Sequence, residues 1–313
     1  MISQIASVAM AVMMKRKSRV TKVLKQRVIT AVLLLVALFG ATTQLSSFYF
    51  SLFVAGVILM AAWEWAGLVS PDKKIAKLPY LVSIAAMLVG SYFLLGISAD
   101  AQNIDGFRTS LVLVLGLLFW LISLFFLSGY PEKSSLWNDE WKIAIMGVLV
   151  LMPAFVGIVF LKYLVPSGYL VLALVILVAA VDVGAYVVGV NFGSRKLAVK
   201  LSPKKSWEGV WGGTFFCLLV ASLFVWLMHN NLQALSATQI IALLMLSVGV
   251  TFFSVVGDLI ESMLKRNCGI KDSSTMLPGH GGVLDRVDGL VAATPLFVLT
   301  MMLVLDSELQ VRL

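Results

Sequence analysis

Long unbroken runs of apolar residues constrain this chain more than any other feature. A helix that crosses a bilayer needs roughly 20 mostly apolar residues, because each residue rises about 1.5 Å across a hydrocarbon core of about 30 Å. Such runs occur nine times, near 28–45, 48–68, 78–97, 109–128, 143–161, 169–190, 210–228, 238–257 and 289–305. A soluble domain is about a quarter charged; this chain is 60% hydrophobic and 13% charged, too little polar surface to cover a globule of 313 residues. The pattern predicts an all-α, polytopic integral membrane bundle of about nine transmembrane helices. A secreted disulfide scaffold is excluded, since the two cysteines, Cys217 in an apolar run and Cys268 in a polar loop, give no framework and no metal-ligand spacing. The formal charge of +8 calls for no nucleic acid, because its basic residues flank the apolar runs.

Lysine and arginine concentrate on the cytoplasmic side of membrane proteins. With the N-terminus inside, the cytoplasmic segments collect the seven from Lys15 to Arg27, then Lys73, Lys74, Lys77, Lys133, Lys142 and nine more in later loops; only Arg108, Lys162 and Arg312 fall outside. This bias predicts an N-in, C-out topology. Residues 1–14, apolar but short, read as an interfacial or signal-like leader. The expected organisation is a basic cytoplasmic segment over 1–27, N-terminal transmembrane helices over 28–165, and a catalytic transmembrane region over 166–313 with two cytoplasmic site loops, 191–209 and 258–288. In the first half only Glu64, in Trp63-Glu64-Trp65, stands awkwardly in an apolar span. It reads either as an interfacial residue between two belt tryptophans or as a paired polar group inside the bundle.

The chemistry gathers in the second half. On a helix, Asp182, Tyr186, Gly189 and Gly193 stand at i, i+4, i+7 and i+11, on one face. An aspartate in a span costs a few kcal/mol unless paired, protonated or lining a polar cavity, which makes Asp182 a candidate functional residue. Ser202-Pro203-Lys204-Lys205-Ser206 offers two ammonium groups and two hydroxyls in a proline-set turn, suited either to a polyphosphate or to anionic lipid at a positive-inside flank. Asp258, Glu261, Ser262 and Lys265 form an i, i+3, i+4, i+7 stripe where the eighth span leaves the membrane. Beyond it lie Arg266, Lys271, the glycine-flanked His280 with Gly281 and Gly282, and then Asp285, Arg286 and Asp288. Asp285 and Asp288, three apart, can face one pocket if that stretch is helical. Carboxylates beside phosphate suit Mg²⁺, a hard ion bound through one or two protein carboxylates plus substrate oxygens. The glycines around His280 let backbone approach a phosphate closely. A transporter would instead place its polar groups near the bilayer midplane, whereas nearly all of these sit at span ends.

The 27 positions from Ser262 to Asp288, Ser-Met-Leu-Lys265-Arg266 through Leu277-Pro278-Gly-His280-Gly281-Gly282 to Asp285-Arg286-Val-Asp288, resemble the signature of the phosphatidate cytidylyltransferase (CDP-diacylglycerol synthase) family. Ser202 to Ser206 with Glu208-Gly209, and Asp182 through Gly193, resemble that family's other recurring segments. The resemblance implies a helical membrane bundle, usually a homodimer, that makes CDP-diacylglycerol and pyrophosphate from CTP and phosphatidic acid at the cytoplasmic face. It implies Asp258 and Asp285 as leading Mg²⁺ ligands with Asp288 close behind; in the mechanism expected from that site, a second cation would share Asp288 or Glu261. Lys204, Lys205, Lys265, Arg266, Lys271 and Arg286 would clamp the triphosphate and lipid headgroup, and His280 would orient a phosphate. Asp182, Tyr186, Ser202, Ser206, Glu208, Ser262, Gly281 and Gly282 complete the expected substrate-binding set.

Overall fold

The computed structural model describes residues 29–30, 32–70, 77–231, 234–277, 279 and 281–305. Each of the nine apolar runs falls on a helix: α1 (Val32–Gln44), α2 (Ser47–Val69), α3 (Lys77–Leu95), α4 (Gly106–Ser128), α5 (Glu140–Leu164), α6 (Tyr169–Phe192), α7 (Trp207–Asn231), α8 (Ala237–Asn267) and α9 (Leu284–Val304). Eight are long and apolar enough to cross a membrane; the first run gives the shorter α1. Helices are the expected outcome, since in lipid each backbone polar group must find its partner within the segment. The only named strands among the described residues form a small antiparallel hairpin, β1 (Lys196–Ala198) with β2 (Ser202–Ser206), where a proline-set turn was expected. The leader, the basic segment before residue 29, Lys73, Lys74, His280 and Arg312 lie outside the described residues.

The most buried helix is α5, which packs against α2, α4 and α9. Large apolar side chains turned outward, such as Phe93, Phe107 and Leu303, suit a lipid surround. The most extensively packed pair is α6 with α7, joined through glycines. A Cβ at Gly184 would stand 2.6 Å from the Gly212 carbonyl, one at Gly213 would stand 2.9 Å from the Val181 carbonyl, and one at Gly212 would collide with Val188. Small residues at such a seam let helices approach where lipid supplies no hydrophobic drive. Gly212→Val should therefore cost about 1–3 kcal/mol of overpacking, read as a lower melting temperature in detergent; an unchanged melt would show that the seam is loose.

Contacts sort the loops into two ends. At one end the Ser70 hydroxyl donates to Glu140 (3.3 Å), Asn138 meets Asn267, Lys200 pairs with Glu132 (2.5 Å) and the Arg266 side chain donates to the Leu201 carbonyl (3.3 Å). At the other, the buried Lys162 ammonium donates to the carbonyls of Thr42 (2.6 Å) and Pro166 (2.5 Å), while the Tyr163 hydroxyl donates to Ser98 (2.9 Å). Among the described residues, Arg108 and Lys162 are the lysines and arginines at this second end. Both polar loops of the second half lie at the first.

Candidate active site

Two helices outrun their apolar segments and carry charge beyond them. The capping-boxed α8 continues to Asn267, so Asp258, Glu261, Ser262 and Lys265 are helical, and α9 starts at Leu284, which makes Asp285 and Asp288 helical too. Since α8 and α9 pack together, their polar ends meet.

Between α6, the hairpin and α8 lies a cavity of about 580 Å³. Its wall includes Asp182, Tyr186, Lys204, Lys205, Ser206 and Asp258. Asp182, Tyr186 and Gly189 of the expected α6 face line this space, whereas Gly193, the extended C-cap residue beyond the helix, does not. Lys205 pairs with Asp258, whose other oxygen accepts from the Ser262 hydroxyl at 3.3 Å. Asp182 and Asp288 lie within electrostatic reach of Asp258 and Lys205, and Arg286 within reach of Asp182. Tyr186 and Val190, 71% and 67% exposed, add an apolar rim to this charged wall.

A second, buried cluster adjoins it. The Lys265 ammonium donates to Glu261 (2.7 Å) and to Asp285 Oδ1 (2.5 Å). The other Asp285 oxygen accepts from the Ser273 amide (2.9 Å), the Ser273 hydroxyl (2.9 Å) and the Gly282 amide (2.8 Å). Glu261 Oε1 is buried and unpaired among the described residues. The expected pair Asp285 and Asp288 is therefore split: the first turns to Lys265, while Asp288 accepts from the Gly289 amide (2.8 Å) and senses Asp258.

Other expected site residues hold backbone. Both Glu208 oxygens accept from Ser194 and Arg195, closing the turn ahead of β1, and Ser206 caps α7 by accepting from the Gly209 amide (3.2 Å). Arg266 donates to the Leu201 and Ile270 carbonyls, which ties the two polar loops together. Ser202 pairs with Ala198 in the hairpin, the Gly281 carbonyl accepts from the Leu277 amide (2.8 Å), and Lys271 and Arg286 are exposed. Both cysteines are free thiols, and burial raises the pKa of Cys268.

Sequence reasoning missed Ser273 and Ser274 and left Glu64 open. Glu64 is 2% exposed and paired inside the bundle: it accepts from the hydroxyls of Ser273 (2.9 Å) and Ser274 (2.6 Å) and from the amides of Val283 (2.9 Å) and Leu284 (2.8 Å). The signal was the carboxylate itself, placed in an apolar span where only a partner makes it tolerable.

The cytidylyltransferase family profile matches residues 25–304. Relatives named phosphatidate cytidylyltransferase include a Pseudomonas aeruginosa protein, 41% identical over 274 residues that span 88% of this chain and 95% of its own. A Haemophilus influenzae protein of that name is 36% identical over 286 residues, 88% of this chain and 97% of its own. One from Bacillus subtilis is 40% identical over 120 residues, 38% of this chain and 42% of its own. With eight bilayer-length helices, the chain is an integral membrane nucleotidyltransferase and belongs to the cytidylyltransferase family.

Proposed function

We propose that this chain is a CTP:phosphatidate cytidylyltransferase. A phosphate oxygen of phosphatidic acid attacks the α-phosphorus of CTP, the bond to the β-phosphate breaks, and the products are CDP-diacylglycerol and pyrophosphate. The observation that carries this reading is the cavity lined by Lys204, Lys205, Asp182 and Asp258, with an exposed apolar rim at Tyr186 and Val190. Such a space can hold a polyphosphate against cations while the acyl chains of a second substrate stay in the bilayer.

Both reactants are anionic, so charge neutralisation and in-line alignment supply most of the rate. Lys204 and Lys205 hold the triphosphate, Lys205 exchanging Asp258 for phosphate when the nucleotide enters. Arg286, exposed at the start of α9, would face the lipid headgroup. A phosphate monoester is already largely ionised near neutral pH, so no general base is required.

The donor chemistry also fits a divalent cation. Among the described residues no three Asp, Glu, His or Cys side chains gather around one point; Mg²⁺, however, takes one or two carboxylates and completes its shell with substrate phosphates and water. Asp258 and Asp288 would hold it, while Asp285 joins only by releasing Lys265, and Glu261 is the neighbouring carboxylate for a second cation. The ion supplies Lewis-acid neutralisation of the nucleotide phosphates. The reading further places the protein in a bacterial cytoplasmic (inner) membrane, N-in and C-out as a homodimer. The orientation rests on the positive-inside bias, the dimer on the family resemblance alone.

The test uses purified, detergent-solubilised protein with phosphatidic acid and CTP labelled at the α-phosphate. Label should pass into the lipid phase as CDP-diacylglycerol, only when a divalent cation is added and not when ATP replaces CTP. Folded protein that leaves all label in water would overturn the reading.

A further inference from the structure

We infer that Glu64, on a helix of the first half of the chain, is a positioning residue for the carboxylates on α9. The inference rests on the reaction proposed above and adds a part to it.

Helix α9 has no side-chain N-cap of its own: Val283 stands at that position without a capping bond. The first amides of a helix need partners, and an anion there also meets the positive end of the helix dipole. Glu64 fills both needs from α2, taking the amides of Val283 and Leu284, one on each carboxylate oxygen. Those oxygens also accept from Ser274 and Ser273 respectively, so four donors, three from the segment before α9 and one from its first residue, converge on one side chain.

The Ser273 hydroxyl carries the connection onward, lying 2.9 Å from Glu64 Oε2 and 2.9 Å from Asp285 Oδ2. A hydroxyl has one proton, so a single hydrogen is shared between two carboxylates and ties their positions together. Gly282 closes the assembly: a Cβ there would collide with both Ser273 and Glu64. Glu64 thereby sets where α9 begins and how Asp285 meets Lys265, and through the helix it sets Asp288, one turn on. It does not line the cavity. Its loss should therefore disturb alignment of the reacting groups more than nucleotide binding.

In Glu64→Gln one carboxylate oxygen becomes an NH₂ that faces donors. A misplacement of about 1 Å can cost about 10²-fold in rate, so kcat should fall by about that factor while KM for CTP stays within about threefold. Glu64→Asp, which keeps the charge on a shorter stem, should recover part of the loss. Because the coupling runs through Ser273, Glu64→Gln should cost much less in a Ser273→Ala background than alone. Amide hydrogen exchange at residues 281–288 should quicken in Glu64→Gln without a change at α3. A Glu64→Gln enzyme with wild-type kcat, losses that multiply independently with Ser273→Ala, or unchanged exchange would each overturn the inference. If Glu64→Gln does not fold, Ser274→Ala decides: lower kcat with an unaltered melt supports positioning, and unaltered kcat refutes it. If wild-type protein makes no CDP-lipid, the proposed reaction fails, and the exchange measurement alone judges Glu64.

Discussion

Asp258→Asn will lower cytidylyl transfer by about 10²–10³-fold, the usual effect of removing one preorganised electrostatic group, and will leave the protein folded. The side chain sits on the cavity wall at 37% exposure, paired with Lys205. An ion pair this open contributes about 0–1 kcal/mol, so stability should hardly notice its loss. Asparagine keeps the shape and can still accept from Ser262, which separates charge from packing. Two consequences can be measured apart. The divalent-cation concentration for half-maximal rate should rise, because one carboxylate of the proposed pair is gone. Binding of CTP without added cation should not weaken, since Lys205 then loses a competing anion. The matched control is Asp105→Asn at the opposite end of the bundle, also 37% exposed and paired with Arg108; it removes the same charge and should keep full activity. If Asp258→Asn turns over at more than a tenth of the wild-type rate, Asp258 is not a metal ligand.

The contrast between these aspartates shows what was legible in the sequence. Span positions follow from composition over 20 residues, because lipid leaves the backbone almost no alternative to helix, and every apolar run duly lies on one. The polar stripe of α8 was legible for the same local reason, an i, i+3, i+4, i+7 spacing that survives past the end of the apolar run. The hairpin at 196–206 was not: Ser-Pro-Lys-Lys-Ser has no alternation of apolar and polar residues, and the strand forms because Arg266 and the turn at Ser194 hold its ends. Nor does local pattern say which acid a base will choose. Lys205, on β2, goes to Asp258 on α8, and Glu64 finds its donors more than 200 residues away. Such partners depend on how helices pack, so the sequence marked which polar residues needed one without marking which they would get.

Lys265 is where that packing matters most. Its ammonium, with the side chain 10% exposed, is shared by Glu261 and Asp285, whose side chains are 4% and 6% exposed. Lys265→Met would leave two carboxylates buried without a counter-charge, and breaking a buried pair in this way typically costs about 3–5 kcal/mol. A large drop in melting temperature and loss of turnover should appear together, which alone would say nothing about catalysis. A second substitution separates them. In Lys265→Met with Glu261→Met one of the stranded anions is replaced by an apolar side chain, and exchanging buried ions for apolar groups of similar size is often neutral or stabilising. Asp285 keeps its three donors from Ser273 and Gly282, so the double variant should regain much of the lost stability. Turnover should stay lost, because Asp285 no longer has the cation that fixes Oδ1 and the carboxylate charge beside Asp288 is gone. Recovery of both properties would mean that Lys265 and Glu261 only hold α8 against α9; recovery of neither would mean that Asp285 alone, unneutralised, is enough to unseat the helix pair.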